Sequence, residues 1–396
     1  ALFGRNEVGL RLLAALCGAA SAPLLYLIGR RGWGVPAGAA AGWLLAVSHF
    51  HIHYSRIAVP NIGNAFLVVL LVWTLFRAYG RNVRFFAHAP PLEADNGTAI
   101  RTRLGTLRLA VPLADFVGVG LVIGFSQYVY HGSRLLLLIA AFAFLYLLFA
   151  RKATLLQIVV TCLVALIVVA PLGTYFVSHW EEFAGRTEDV FIFTERNLKN
   201  AMGPDATFAA DLLPYLNHQF VTTLSFLTGS GDRSSFYIAE LPIFDPITLV
   251  LMWLGFGAVL ARIRRFEESV VAAWFLLGLF FAGFLTTEQP NGPRILSVAP
   301  ACYLIAGIFV QRVWDLLPVG TRKGSRRLAS AAAGLAALAV LYWNWHIYFV
   351  EMPGYTQSIL PTAVARAVAA APAEKPVYVM GEPVLYAGHG TIRFLA

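Results

Sequence analysis

The sequence predicts an all-α polytopic membrane protein of about ten transmembrane helices, with a large outer loop and the start of a C-terminal outer α/β domain. Three observations predict it. The 396 residues are 58% hydrophobic and 13% charged, with a mean hydropathy of +0.68, whereas a soluble globular chain is about 25% charged. Apolar runs recur at the roughly 17–25 residues a helix needs to cross a bilayer. The polar connections between them differ sharply in charge from one side to the other. Helices are the expected solution because backbone groups in lipid must be satisfied within the segment. The short alternating strands of a membrane β-barrel are not evident.

The expected spans are 9–29, 35–50, 62–79, 107–125, 134–150, 153–173, 245–263, 268–286, 295–311 and 328–348. The connections alternate sides, so one orientation fixes all of them. One set holds 18 of the 30 basic residues and 5 of the 21 acidic ones, including "GRRG", "ARK" and "RIRRFEE". Excess Lys and Arg mark the cytoplasmic side, which sends both chain ends outward. The net charge of +9 is scattered between greasy segments rather than gathered on a soluble face, so nucleic acid is not expected as a partner. Arginine supplies 26 of the basic residues and lysine 4, a bias associated with GC-rich bacterial genomes.

Residues 1–348 are read as the membrane domain, with an inner insertion at 80–106 and a large outer loop at 174–244. That loop is expected to form two or three short helices along the membrane, with "GSGDRSSFYIAELPIFDP" as a flexible cover. Residues 349–396 change character, and "KPVYVMG" and "TIRFLA" read as strands opening an outer α/β domain. Cys17, Cys162 and Cys302 lie inside apolar runs with neither metal-ligand nor disulfide spacing. Asp115 is a lone acid near the inner end of a span, better suited to a headgroup or helix contact than to a proton path.

The outer connections carry the candidate chemistry. Three of them place an arginine just before a span: Arg56, Arg134 and Arg294. Tyr54, His51 and His53 accompany the first, Tyr128, Tyr130 and His131 the second, and Glu288, Gln289 and Asn291 the third. A guanidinium holds a phosphate bidentately and keeps its charge, so several around one pocket suit a lipid phosphate. The plainer reading of each is an interfacial anchor, although positive charge is less expected outside. His49, His51 and His53 alternate, which on an extended segment is a possible metal site. On a helix, i and i+2 do not face each other, leaving hydrogen bonding or interface packing. Arg186, Asp189, Glu195 and Arg196 read as a solvated face of the large loop, with Arg186 also a possible substrate contact.

These stretches together resemble the GT-C polyprenyl-phosphate-sugar-dependent glycosyltransferases, in the bacterial branch related to protein O-mannosyltransferases and the lipid A aminoarabinose transferase. "LFGRNEVGLRLLAALCGAASAPLLYLIGRRGWG" is similar to the stretch after that family's first outer loop. "HYSRIAVPN" resembles its SR-x-A segment, where many members carry an acid at the position of Asn61. "YVYHGSRLLLL" is similar to its Tyr-rich turn ending in Arg, "HWEEFAGRTEDVFIF" to its large-loop pattern, and "GPRILSVAP" to its late PR motif. The resemblance implies a GT-C fold in the bacterial inner membrane and transfer of a sugar from a polyprenyl phosphate to an outer acceptor. That acceptor is a protein, a glycolipid or a cell-wall glycan. It implies that Arg56, Arg134 and Arg294, with Tyr54, Tyr128, Tyr130 and His131, hold the lipid phosphate. His51, His53, Asn61, Arg186 and Glu288 are implied as substrate contacts. No cofactor is implied, and an uncharged Asn61 weighs against a divalent metal. The family's catalytic acid lies in its first outer loop, so it is expected upstream of Ala1; Glu7 matches no motif. A transporter or flippase would instead show repeated halves and polar groups at the midplane, and neither is evident. An inactive chain of the same fold is the other alternative, decided by whether that upstream acid exists.

Overall fold

Asn6 opens the first helix, α1 (Glu7–Gly32), by accepting the Gly9 amide N–H at 2.8 Å, and Arg30 and Arg31 close it where the helix dipole favours cations. The computed structural model describes residues 6–88, 113–228, 232–234, 236–238, 240–317, 323–354, 360–372, 377–379 and 392–393. Gly34, at φ +139°, turns the chain into α2 (Val35–Val47). The two helices touch backbone to backbone. A Cβ on Gly38 would lie 2.4 Å from the Tyr26 carbonyl oxygen and 2.8 Å from the Arg30 amide nitrogen. Helices in lipid associate through such small-residue contacts rather than by expelling water. Gly38→Ala is therefore expected to cost roughly 1–3 kcal/mol, as overpacking does, read as a lower melting temperature in detergent.

Ser48 then bends the chain by 57° into α3 (His49–Arg56). Its hydroxyl oxygen accepts the His51 amide at 3.2 Å and the Tyr303 hydroxyl at 2.6 Å, so the bend is fixed by a cap and by a distant helix. The chain continues through α4 (Asn61–His88), α5 (Ala114–Ser126), a 3₁₀ turn at His131–Ser133, α6 (Arg134–Phe149) and α7 (Leu155–Ser178). The large loop holds α8 (Trp180–Val190), α9 (Glu195–Met202) and α10 (Phe208–Ser225). Then come α11 (Pro246–Leu260), α12 (Phe266–Gly278) running into a π-helical turn at Leu279–Phe284, the short α13 (Gly292–Ile295) and α14 (Ala299–Leu316). The described chain closes with α15 (Lys323–His346), a π-helical extension at Ile347–Glu351 and α16 (Leu360–Ala370).

The fold is all-α: among the described residues the one β contact is an isolated bridge between Phe191 and Thr286. Each expected span coincides with a helix or a bent helix pair, although 107–112 lies outside the described residues. Six described helices are long and apolar enough to cross a membrane, and the bent pair α2–α3 makes a seventh. α5 and α11 are apolar but shorter. Three boundaries shift from expectation: α4 continues through the first residues of the inner insertion to His88, α7 runs into the large loop to Ser178, and α13 stands apart before α14.

α2 packs between α1 and α14, and α14 against α11; α4 links α1 to α5, and α5 packs on α7. α14 is buried throughout residues 299–308, whereas α7 and α15 turn mostly apolar residues outward. Cys162 is accordingly exposed on α7 while Cys302 is buried in α14. At the arginine-rich end, Asp115 meets Arg81 at 2.9 Å and Arg77 at 3.6 Å, a helix contact between α5 and α4. Glu268, 1% exposed, holds Arg312 at 3.0 Å and accepts the Trp33 indole N–H at 3.2 Å. Arg312→Ala leaves that carboxylate only the Trp33 N–H and Arg265 at 3.8 Å and is expected to cost about 1–3 kcal/mol, measurable by chemical denaturation in detergent. Of the expected outer α/β domain, α16, Val379 and Ile392 share a small apolar cluster with Ala365. Residues 377–379 carry no strand, and the rest of "KPVYVMG" and most of "TIRFLA" lie outside the described residues.

Candidate active site

The first turn of α4 organises the end of the bundle opposite the Asp115 and Glu268 clusters. The Asn61 amide donates to the Pro293 carbonyl at 2.9 Å, and the Asn64 carbonyl accepts the Ser133 hydroxyl at 2.9 Å. Pro293 precedes Arg294 and Ser133 precedes Arg134. Residues three apart on a helix are neighbours, so one turn of α4 holds both arginine-bearing turns, less than about two helix diameters apart.

The two arginines nevertheless face different clefts. Arg134 lines an apolar cleft of about 440 Å³ with Tyr128, Tyr130, His131, Leu172, Phe176, Trp180 and Phe183. Its guanidinium carbon lies 4.5 Å from the Phe183 ring centroid, a cation–π arrangement. The Tyr128 hydroxyl donates to the Val168 carbonyl at 2.8 Å and ties this turn to α7. Arg294 lines a polar cleft of about 560 Å³ with Asp189, Arg196, Asn200, His218, Gln219, Arg233 and Glu288. Arg294 donates to the Thr287 carbonyl and to Glu288 at 3.1 Å, and Arg196 pairs with Asp189 at 3.4 Å. Glu288 takes φ +61°, rare for a side chain with a Cβ, and that turn brings its carboxylate to Arg294. Helix α8 is the partition: Trp180 and Phe183 face the apolar cleft, Asp189 and Val190 the polar one.

A buried carboxylate ties the wall together. Asp232 is 0% exposed and accepts four hydrogen bonds, from the Tyr54 hydroxyl at 2.8 Å, the Gly292 amide at 2.8 Å, and the Ser234 amide and hydroxyl at 2.7 Å. The Arg233 amide donates to the Pro290 carbonyl at 2.8 Å. The described part of the expected flexible cover is thus pinned to the turn before Arg294. Burial, with Tyr303 and Asp232 nearby, pushes the Tyr237 hydroxyl well above the ordinary phenol range, so it stays neutral beside this wall.

The sequence-predicted site therefore divides. Tyr128, Tyr130, His131 and Arg134 come together, and so do Arg294 and Glu288. Arg56 lines neither cleft; its guanidinium donates to the Tyr348 hydroxyl at 3.0 Å and sits over that ring. Tyr54, His51, His53 and Asn61 are buried on partners of their own rather than presented to a ligand. His51 meets the Gly18 carbonyl at 3.1 Å and His53 the Phe236 carbonyl at 2.7 Å, while His49 bridges Asn344 at 2.6 Å and the Pro242 carbonyl at 2.7 Å. The physical reason is the bend at Ser48, which lays α3 inside the bundle. The three histidines diverge, and among the described residues no three His, Cys, Asp or Glu side chains gather to hold a metal. The side chain of Arg186 lies outside the described residues. Sequence reasoning missed Arg233, His218, Gln219 and Asn200, and set Arg196 aside as a solvated face. No local motif marks them, because the cleft forms only when α9, α10 and the 286–294 turn meet.

Solved proteins share this fold. A family model described as dolichyl-phosphate-mannose-protein mannosyltransferase matches residues 1–88, the stretch ending with α4. The Archaeoglobus fulgidus oligosaccharyltransferase AglB, solved with an inhibitory peptide and a dolichol-phosphate, superposes with a TM-score of 0.51 at 16% identity, over 93% of this chain and 47% of that one. The same archaeal enzyme, tethered to an acceptor peptide, gives 0.50 at 17% identity, covering 92% and 46%. ArnT from Cupriavidus metallidurans, bound to undecaprenyl phosphate, gives 0.50 at 14% identity, covering 97% and 70%. The chain thus spans about half the length of the archaeal enzyme it matches. Comparison with curated proteins finds no match.

Proposed function

We propose that this chain is the membrane half of a glycosyltransferase that takes a sugar from a polyprenyl-phosphate-linked donor, at the outer face of a bacterial inner membrane. The observation that carries the reading is the pair of clefts on either side of α8. One is apolar with a cation at its mouth, which suits an isoprenoid chain ending in phosphate. The other is polar and rich in guanidinium, which suits a sugar and an acceptor. The fold shared with proteins solved around dolichol-phosphate and undecaprenyl phosphate supports it.

In this reading the lipid tail lies along Leu172 and Phe176, and Arg134 meets the phosphate beneath Phe183. The sugar points past the partition toward Arg294. A carboxylate acting as general base takes the acceptor proton. The acceptor oxygen attacks the anomeric carbon, inverts it, and the polyprenyl phosphate leaves with the negative charge that Arg134 stabilises. Arg56, committed to Tyr348, anchors α3 to the extension of α15 instead of gripping phosphate.

A photoreactive polyprenyl phosphate applied to the full-length protein in membranes is expected to label residues 169–183, in competition with unmodified lipid. Radiolabelled polyprenyl-phosphate-sugar is expected to pass its label to a cell-envelope acceptor. Labelling confined to other helices, or label that stays on the lipid, would overturn the proposal. A transporter would instead move intact lipid-linked sugar across vesicles without cleaving it.

A further inference from the structure

We infer that the arginine-rich end of the bundle binds anionic phospholipid, on a surface made by the two turns that follow α6 and α11. This surface lies at the end away from both clefts, so it is independent of the transferase reading. Several cations at this end have carboxylate partners: Arg77 and Arg81 meet Asp115, and Arg265 and Arg312 meet Glu268. Arg151 and Lys152 after α6, and Arg262 and Arg264 after α11, are different. All four are exposed, and none has a carboxylate partner among the described residues. The Tyr146 hydroxyl donates to the Arg264 carbonyl at 2.5 Å and draws the two turns together. Of the nearby acids, Glu268 is buried on its arginines, Glu267 acts on Arg265 and Arg31, and Asp315 accepts from Gln311 at 2.8 Å. The four cations are left to an outside anion.

A second observation comes from the backbone. As α6 ends, the Arg151 amide donates to the Leu148 carbonyl at 3.0 Å and the Lys152 amide to the Leu147 carbonyl at 2.8 Å. Such an ending calls for a left-handed residue, usually glycine, yet Arg151 takes it at φ +53°. Backbone held in this way clusters where ligands are clamped. The Asn82 side-chain amide donates to the Lys152 carbonyl at 3.1 Å, which fixes the turn in advance. Apolar side chains flank the cations: Phe149 is 86% exposed and Ile263 41%. The guanidinium groups hold a lipid phosphodiester while these neighbours lie against its acyl chains. A soluble anion would leave them in water, which favours the lipid as occupant.

The test is lipid binding to the full-length protein in neutral detergent, followed by native mass spectrometry. The probes are phosphatidylglycerol, phosphatidylcholine and, as competitor at equal concentration, inorganic phosphate. Phosphatidylglycerol is expected to bind at least about tenfold more tightly than phosphatidylcholine, since each cation near an anionic lipid contributes about fivefold. Arg151→Gln/Lys152→Gln and Arg262→Gln/Arg264→Gln should each remove most of that preference, and the four changes together all of it. These side chains are exposed, so the variants leave the core intact. Arg151→Gly separates binding from folding. It should keep or raise the melting temperature in lipid-free detergent, because glycine takes the left-handed turn freely, yet weaken phosphatidylglycerol by about fivefold. Equal binding of the two lipids, full preference in the fourfold variant, or displacement by inorganic phosphate would each overturn the inference. So would an Arg151→Gly variant that melts lower with its lipid preference unchanged, since the arginine would then be structural.

Discussion

Asp232→Ala is expected to destabilise the protein more than any other single change in the candidate site. Its carboxylate is wholly buried and answers four donors from three separate segments: α3, its own turn, and the chain entering α13. Removing it leaves the Tyr54 hydroxyl and the Gly292 amide without an acceptor. Each such orphan costs about 1–3 kcal/mol, so a loss of roughly 3–5 kcal/mol is expected. Gly292→Ala attacks the same joint from the other side, because its Cβ would sit 2.1 Å from the carboxylate and 2.6 Å from the Tyr54 hydroxyl. Tyr54→Phe takes away a donor and leaves the carboxylate three others, so it should cost only about 1 kcal/mol. Melting in detergent, with the Tyr54→Phe/Asp232→Ala double variant, checks this. The double variant should be clearly less destabilised than the two effects summed. Strict additivity would show that the hydrogen bond at 2.8 Å does not couple the two residues.

Why Asp232 escapes a reading of the sequence is instructive. It sits in "GSGDRSS", whose composition signals a turn and nothing more. Its partners are 178 and 60 positions away, at Tyr54 and Gly292. The spans, by contrast, are local facts: composition and length place them, and the structure puts a helix at each. Asp115 was legible too: an acid near the inner end of a span suits a headgroup or helix contact, and Arg77 and Arg81 of α4 make the helix contact. The "HFHIH" stretch misleads for a physical reason. It looks like a polar outer segment, but the cap at Ser48 restarts a helix there and buries alternate histidines against backbone carbonyls. Arg134 and its Tyr-rich turn were legible together because they are consecutive. The polar cleft was not, since α9, α10 and two loops each give it one or two residues that look unremarkable alone.

Arg134→Gln in the full-length protein is expected to lower transfer by about 10²–10³-fold, the range seen when one donor to a developing oxyanion is removed. The geometry says which kinetic parameter moves. The wall of the apolar cleft is supplied by Leu172, Phe176, Trp180 and Phe183 whether or not the arginine is present. Lipid binding therefore keeps most of its hydrophobic term, and KM changes little. The charge on the leaving phosphate grows only as the glycosidic bond breaks, so the loss falls on kcat. Arg134→Lys restores charge without the planar fork and is expected to recover part of the rate. Phe183→Ala removes the ring over the guanidinium, worth about 0.5–2 kcal/mol, and should lower the rate by about two- to thirtyfold. The order expected is therefore native, Phe183→Ala, Arg134→Lys, Arg134→Gln. Near-native turnover by Arg134→Gln would remove this arginine from the chemistry. A KM effect with unchanged kcat would make it a docking residue for the lipid head. In either case the burden of stabilising the leaving phosphate would pass to Arg294, which the same turn of α4 holds on the far side of the partition.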